Sequence, residues 1–158
     1  MNVKRLYGSV CLGILTMGVC AWAVTPWFTF TINLTQSLPG TLYLIHRGGA
    51  FKKGNLIAYR WHGGATYPAG VMFIKRVVGM PGESVRRAGA TFWVNDQRIG
   101  EAKPQSRAGI PLAPAPAGVI PAGEYFVATP HPDSLDSRYA LAGNVKRSEI
   151  IGRAYAVF

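Results

Sequence analysis

A chain of 158 residues with nineteen glycines and eleven prolines has room for one modest core beside an N-terminal segment, and that composition favours a turn-rich β domain over a helical bundle. Seventeen basic against seven acidic residues give a formal charge of +10; with Lys4 and Arg5 set aside fifteen basic residues remain, so the excess belongs to the body of the chain. These residues are scattered, in pairs such as Lys52-Lys53, Arg86-Arg87 and Lys146-Arg147, with no recognition motif for DNA or RNA, which points to a solvated or lipid-facing basic surface and not to a nucleic-acid partner.

The chain opens on a short basic tip, and after Arg5 no charged residue follows until Arg47. Leu6 to Val24 predicts a helix of about 28 Å, close to the ~30 Å thickness of a bilayer's hydrocarbon core. Pro26 should end it, and Trp27, Phe28 and Phe30 fall where interfacial aromatics belong. Positive charge before the segment and none soon after it places the N-terminus in the cytoplasm and the domain outside. A retained anchor over residues 1–30 is favoured over a cleaved signal segment, although Ala21-Trp22-Ala23 resembles a small-residue cleavage site. Both arrangements export residues 31–158. Cys11 and Cys20 lie within the apolar segment, so the domain has no disulfide, no thiol nucleophile and no cysteine metal site, and no metal or cofactor is expected.

Short strands follow. Leu42–Ile45 runs into Arg47-Gly48-Gly49, Asn55–Tyr59 follows a Lys-Lys-Gly turn, and Val71–Val78 is closed by Pro81-Gly82. Thr91–Val94 runs into Asn95-Asp96, a hairpin turn. Residues 102–122, rich in Pro, Ala and Gly and without periodicity, read as a surface loop or mobile flap. Glu124–Ala128 resumes a strand, and Ala154–Phe158 is the last one.

The residues with the most chemistry are a serine, Ser37, and a lysine, Lys75. A serine hydroxyl needs a base to become a nucleophile. His46, His62 and His131 are available, and His131 near Asp133 or Asp136 would allow a Ser-His-Asp arrangement, but none lies in a signature pattern. Lys75 is set among Val71-Met72-Phe73-Ile74 and Val77-Val78, where desolvation would leave its amine neutral and able to accept a proton. An outward-facing, solvated Lys75 fits the same alternating pattern.

The motifs themselves break that tie. Lys75-Arg76-Val77-Val78-Gly79-Met80-Pro81-Gly82-Glu83 resembles the lysine box of the type I signal peptidases, and Ser37 followed by Pro39-Gly40-Thr41-Leu42 resembles their serine box. Ser134-Leu135-Asp136-Ser137-Arg138 resembles their closing box, and Lys53–Ala58 their intervening Gly-Asp strand, with Asn55 in place of the Asp. Within that family, Leu38 in place of the usual Met, the small size, and the run His131-Pro132-Asp133-Ser134-Leu135-Asp136-Ser137-Arg138-Tyr139 look like the TraF-like conjugal transfer peptidases.

The resemblance implies a mainly β, signal-peptidase-like (repressor-like) barrel or sandwich domain behind one N-terminal transmembrane or signal helix. It further implies a serine peptidase with Ser37 as nucleophile, Lys75 as general base and Asp136 in a catalytic role. Thr35 and the Ser37 backbone N–H would support the oxyanion, Ser134 would orient Lys75, and Arg138 would brace Asp136. The implied substrate is an exported precursor, foremost a conjugative pilin subunit in type IV secretion, released with or without head-to-tail cyclisation. The implied location is the bacterial inner membrane, with the domain facing the periplasm; a soluble periplasmic form would follow signal cleavage. A general leader peptidase is the alternative, and a basic, membrane-anchored structural part of a secretion apparatus is the non-enzymatic one.

Overall fold

The computed structural model describes residues 3–33, 37–64 and 67–158, with side chains from Tyr7 onward. Helix α1 spans Val3–Val24. Residues Tyr7–Val24 are long and apolar enough to cross a bilayer, and none of them packs against the domain. The sequence places Trp27, Phe28 and Phe30 as interfacial aromatics. Instead Phe28–Ile32 forms strand β1, because alternation in Phe-Thr-Phe-Thr-Ile suits a pleated edge, and Phe28 stacks on His46 at 4.9 Å.

Among the described residues ten further strands follow: β2 (Leu42–Arg47), β3 (Leu56–Arg60), β4 (Met72–Gly79), β5 (Ser84–Ala88), β6 (Thr91–Val94), β7 (Gln97–Glu101), β8 (Gly118–Val119), β9 (Glu124–Ala128), β10 (Val145–Lys146) and β11 (Ile150–Ala156). They build two antiparallel sheets. The larger has the order β1-β2-β11-β3-β4-β9-β10, and the smaller β7-β6-β5-β8. This is the mainly β architecture with one N-terminal apolar helix that the sequence implies. The last strand begins four residues earlier than expected, at Ile150, and β5 and β7, both charge-rich, were not anticipated.

The position of β11 between β2 and β3 depends on one residue. Gly152 pairs with Arg47 on one side and Ala58 on the other, and a Cβ there would lie 2.0 Å from the His46 carbonyl oxygen. Only glycine lets the three backbones approach this closely.

The core has three parts. Leu38, Tyr43, Ile45, Ala58 and Ala154 pack beneath β2, β3 and β11. Ile57, Trp61, Phe73, Val77 and Val127 pack around β3, β4 and β9. Phe92, Val94, Ile120, Phe126 and Tyr139 fill the space beneath the small sheet. Residues 102–122 are not a free flap: Leu112, Ala115 and Ile120 are buried, and Pro114 bridges to Tyr139. Burying those apolar side chains holds an otherwise irregular segment against the body of the domain.

Candidate active site

Ser37 lies in the turn between β1 and β2, and several contacts hold that turn. Leu38 is buried, the Asn33 side-chain amide donates to the Leu38 carbonyl at 3.0 Å, and the Tyr43 hydroxyl donates to the Pro39 carbonyl. Gly40 takes φ +92° to close the turn against the Phe158 carbonyl.

Lys75 lies on β4, whose alternation buries Phe73, Lys75, Val77 and Gly79 on one face and exposes Arg76 on the other. The pattern that left Lys75 ambiguous in sequence is therefore resolved inward. Its Nζ is 3.3 Å from Ser37 Oγ and 2.8 Å from Ser134 Oγ, with the Phe73 ring 5.6 Å away. Burial, opposed by attraction to Asp136 and reinforced by repulsion from Arg138, pulls the Lys75 pKa from 10.5 down to about 8.

Ser134 is carried on the loop after β9, and Asp136 and Arg138 fix that loop. Both are buried, and they form a bidentate pair, with Nε to Oδ1 and Nη2 to Oδ2 both at 2.8 Å. The remaining Arg138 donors reach the Glu101 carbonyl at 3.0 Å and the His131 carbonyl at 3.2 Å. Asp136 also accepts from the Thr129 and Arg138 backbone N–H groups, each at 3.3 Å. Ser137 Oγ accepts from the Val127 N–H at 2.9 Å. One ion pair thus ties the Ser134 loop to β9 and to the small sheet.

The structure therefore brings Ser37, Lys75 and Ser134 together, and pairs Asp136 with Arg138 beneath them. Thr35 lies outside the described residues. Each histidine has a local structural contact: His46 on Phe28, His62 on the Leu141 carbonyl at 2.9 Å, and His131 Nδ1 accepting from the Asp133 N–H at 3.1 Å. Asp133 pairs with Lys103, which holds its carboxyl below the usual range. No group of three or more His, Cys, Asp or Glu side chains able to hold a metal occurs among the described residues.

Beside Ser37 and Lys75 is a cavity of about 280 Å³, walled by Ile32, Met72, Ile74 and Leu135, with Tyr67 also lining it. Asn33 and Tyr67 were not singled out in the sequence. An amide four positions before Ser37 was the only local sign of Asn33's part, and Tyr67, in a Gly- and Pro-rich turn, had none.

A buried amine set between two serine hydroxyls is able to take a proton from one of them. The family model for signal peptidase, peptidase S26, matches residues 4–158. The chain belongs to the signal peptidase S26 family. Among curated relatives, signal peptidase I U of Bacillus subtilis (strain 168) is 28% identical over 117 residues, covering 70% of this chain and 59% of that protein. Signal peptidase I of Bacillus amyloliquefaciens is 32% identical over 96 residues, covering 56% of this chain and 49% of the relative. The chain thus spans less than two thirds of the length of these relatives. A solved signal peptidase I from Enterococcus faecalis V583 overlaps with a TM-score of 0.43 at 23% identity, over 66% of this chain and 96% of that one. Helix α1 has the length and apolarity to cross a membrane.

Proposed function

We propose that this signal peptidase family member is a membrane-anchored serine endopeptidase that removes leader peptides from exported precursors through a Ser37–Lys75 dyad. The carrying observation is the buried Lys75 Nζ held between Ser37 Oγ and Ser134 Oγ. In the neutral amine, the Ser37 hydroxyl donates to the Nζ lone pair while Ser134 holds the amine's direction. As Ser37 Oγ attacks the scissile carbonyl, its proton passes to Lys75, and the resulting ammonium delivers it to the leaving amine. Water then resolves the acyl-enzyme with Lys75 again as base. Thr35 and the Ser37 N–H are assigned to the oxyanion on the resemblance alone. Asp136 acts through Arg138 and through its field on Lys75, as a positioning residue.

Residues 31–158 form the peptidase domain in this reading, with α1 as its anchor. The basic tip stays in the cytoplasm and the domain faces the periplasm. Trp27, Phe30, Tyr155, Val157 and Phe158 are exposed, and Phe30, Leu44 and Tyr155 are register neighbours on the outer face of β1, β2 and β11. That apolar face, just after the helix, suits docking on the membrane surface.

The test is cleavage of a leader-bearing precursor by the full chain in detergent or vesicles. Wild type should cut at one site, while Ser37→Ala and Lys75→Arg should leave the precursor intact, because a guanidinium stays protonated. An active Arg variant would refute the lysine-base mechanism.

Leu38 and the His131–Tyr139 run favour a second reading, maturation of a conjugative pilin. There the acyl-enzyme would be resolved by the substrate's own amine when that amine is held near the ester. Mass spectrometry separates the two: a product one water lighter than the linear cleaved form marks cyclisation.

A further inference from the structure

Residues 106–110 fold into a small closed turn. The Ser106 N–H donates to the Ile110 carbonyl at 2.8 Å, and Ser106 Oγ accepts from the Ile110 N–H at 3.1 Å. Buried Leu112 and the Lys103 N–H, which donates to the Tyr139 hydroxyl at 3.1 Å, anchor this turn to the core. Arg107 at its tip is exposed and forms no ion pair among the described residues.

Beneath Arg107 lies a second cavity, of about 130 Å³, which shares Tyr67, Asp133, Ser134 and Leu135 with the cavity beside Ser37. The two pockets are therefore neighbours on either side of one wall, and that wall carries the serine that holds Lys75. The second adds basic side chains. The main cavity has a largely aliphatic wall, interrupted by Asn33, Tyr67 and Asp133, and includes Ser37 and Lys75. The second has Leu112, Leu135 and Tyr139 as an apolar lining and Lys103, Gln105 and Arg107 around it. Lys103 is neutralised by Asp133, so Arg107 leaves the pocket with one net positive charge. An aliphatic stem ending in an anion satisfies both the apolar lining and the exposed Arg107 guanidinium; a cationic side chain would meet Arg107 with repulsion.

We propose that this pocket is a subsite that selects an acidic side chain, glutamate or aspartate, close to the scissile bond of the substrate. The proposal rests on the peptidase reading above, because an extended peptide with its carbonyl at Ser37 would run along the shared wall into the second pocket. Arg107 is the specificity-determining residue and takes no part in bond cleavage.

The experiment uses a series of fluorescent peptides, each with a single Glu at a successive position on either side of the cleavage point, together with the matched Gln and Lys peptides. Affinities are measured on the full Ser37→Ala chain in detergent micelles, where turnover cannot interfere, and kcat/KM is measured on the Ser37-intact chain. One position should favour Glu over Gln by about 1.5-fold to fivefold, the range of an exposed ion pair, with Lys weakest. Arg107→Glu should invert that order, with the Lys peptide favoured and the Glu peptide weakest. Absence of a Glu preference at every position, its survival in Arg107→Glu, or no binding by any peptide overturns the subsite. The two readings fail separately: cleavage without an Arg107-dependent preference removes only the subsite, and an Arg107-dependent preference without cleavage removes only the peptidase.

Discussion

Lys75→Met tests the physical basis of the dyad through stability and needs no substrate. A lysine whose pKa falls on folding holds its proton less tightly in the folded chain than in the unfolded one. The drop from 10.5 to about 8 corresponds, at about 1.4 kcal/mol per unit, to roughly 3 kcal/mol of destabilisation. The sign follows from the proton count. Below pH 8 both states are charged and the full penalty applies. Between about 8 and 10.5 the unfolded chain binds more protons, so stability rises with pH, and above 10.5 the penalty is gone.

Methionine is close in volume and carries no charge, so it removes the penalty. It also leaves the Ser37 and Ser134 hydroxyls without their amine partner, which costs about 1 kcal/mol each. The net expectation is a variant about 1 kcal/mol more stable than wild type at pH 7 and about 2 kcal/mol less stable above 10.5. Urea denaturation of both chains in the same micelles, followed by tryptophan fluorescence at several pH values, measures the difference, and other titrating groups cancel. A difference that stays constant within about 0.5 kcal/mol across this range would mean that Lys75 titrates as an ordinary surface lysine, and the neutral-base mechanism would fall with it.

Under chemistry-limited conditions kcat/KM should rise about tenfold per pH unit below pH 8 and level off above it, since roughly a tenth of Lys75 is neutral at pH 7; a profile flat from pH 6 to 9 contradicts this. Ser134→Ala removes the 2.8 Å partner of Nζ and should lower kcat by about 10- to 100-fold with little change in KM, as kinetics on one peptide will show. Arg138→Met leaves Asp136 buried without its counter-charge and should cost about 3–5 kcal/mol in denaturant unfolding; a loss below about 1 kcal/mol would mean that the pair is not a brace. Gly152→Ala would place a Cβ 2.0 Å from the His46 carbonyl, so the variant should lose more than about 4 kcal/mol or fail to fold, read by circular dichroism and expression yield.

Sequence alone determined a good deal about this protein. An uncharged run long enough to cross a bilayer, the strand-length apolar segments, and three boxes in order around Ser37, Lys75 and Ser134 are local signals, and local signals survive without coordinates. The face of β4 on which Lys75 lies was a different matter. Period-2 alternation gives two faces but not which one is inside, and that is decided by the Ser37 turn and the Ser134 loop meeting Lys75 and by the core packing around Phe73 and Val77. The same holds for Phe28–Ile32, whose aromatic content fits an interface as well as an edge strand until β2 is present to pair with it. The 106–110 turn and its pocket had no periodic signature, because irregular backbone takes its shape from what it packs against. Composition and spacing specified which groups could react. Only tertiary structure, by placing Ser37 and Ser134 each within 3.3 Å of the Lys75 amine and removing water around that amine, decided that they meet and what pKa it has.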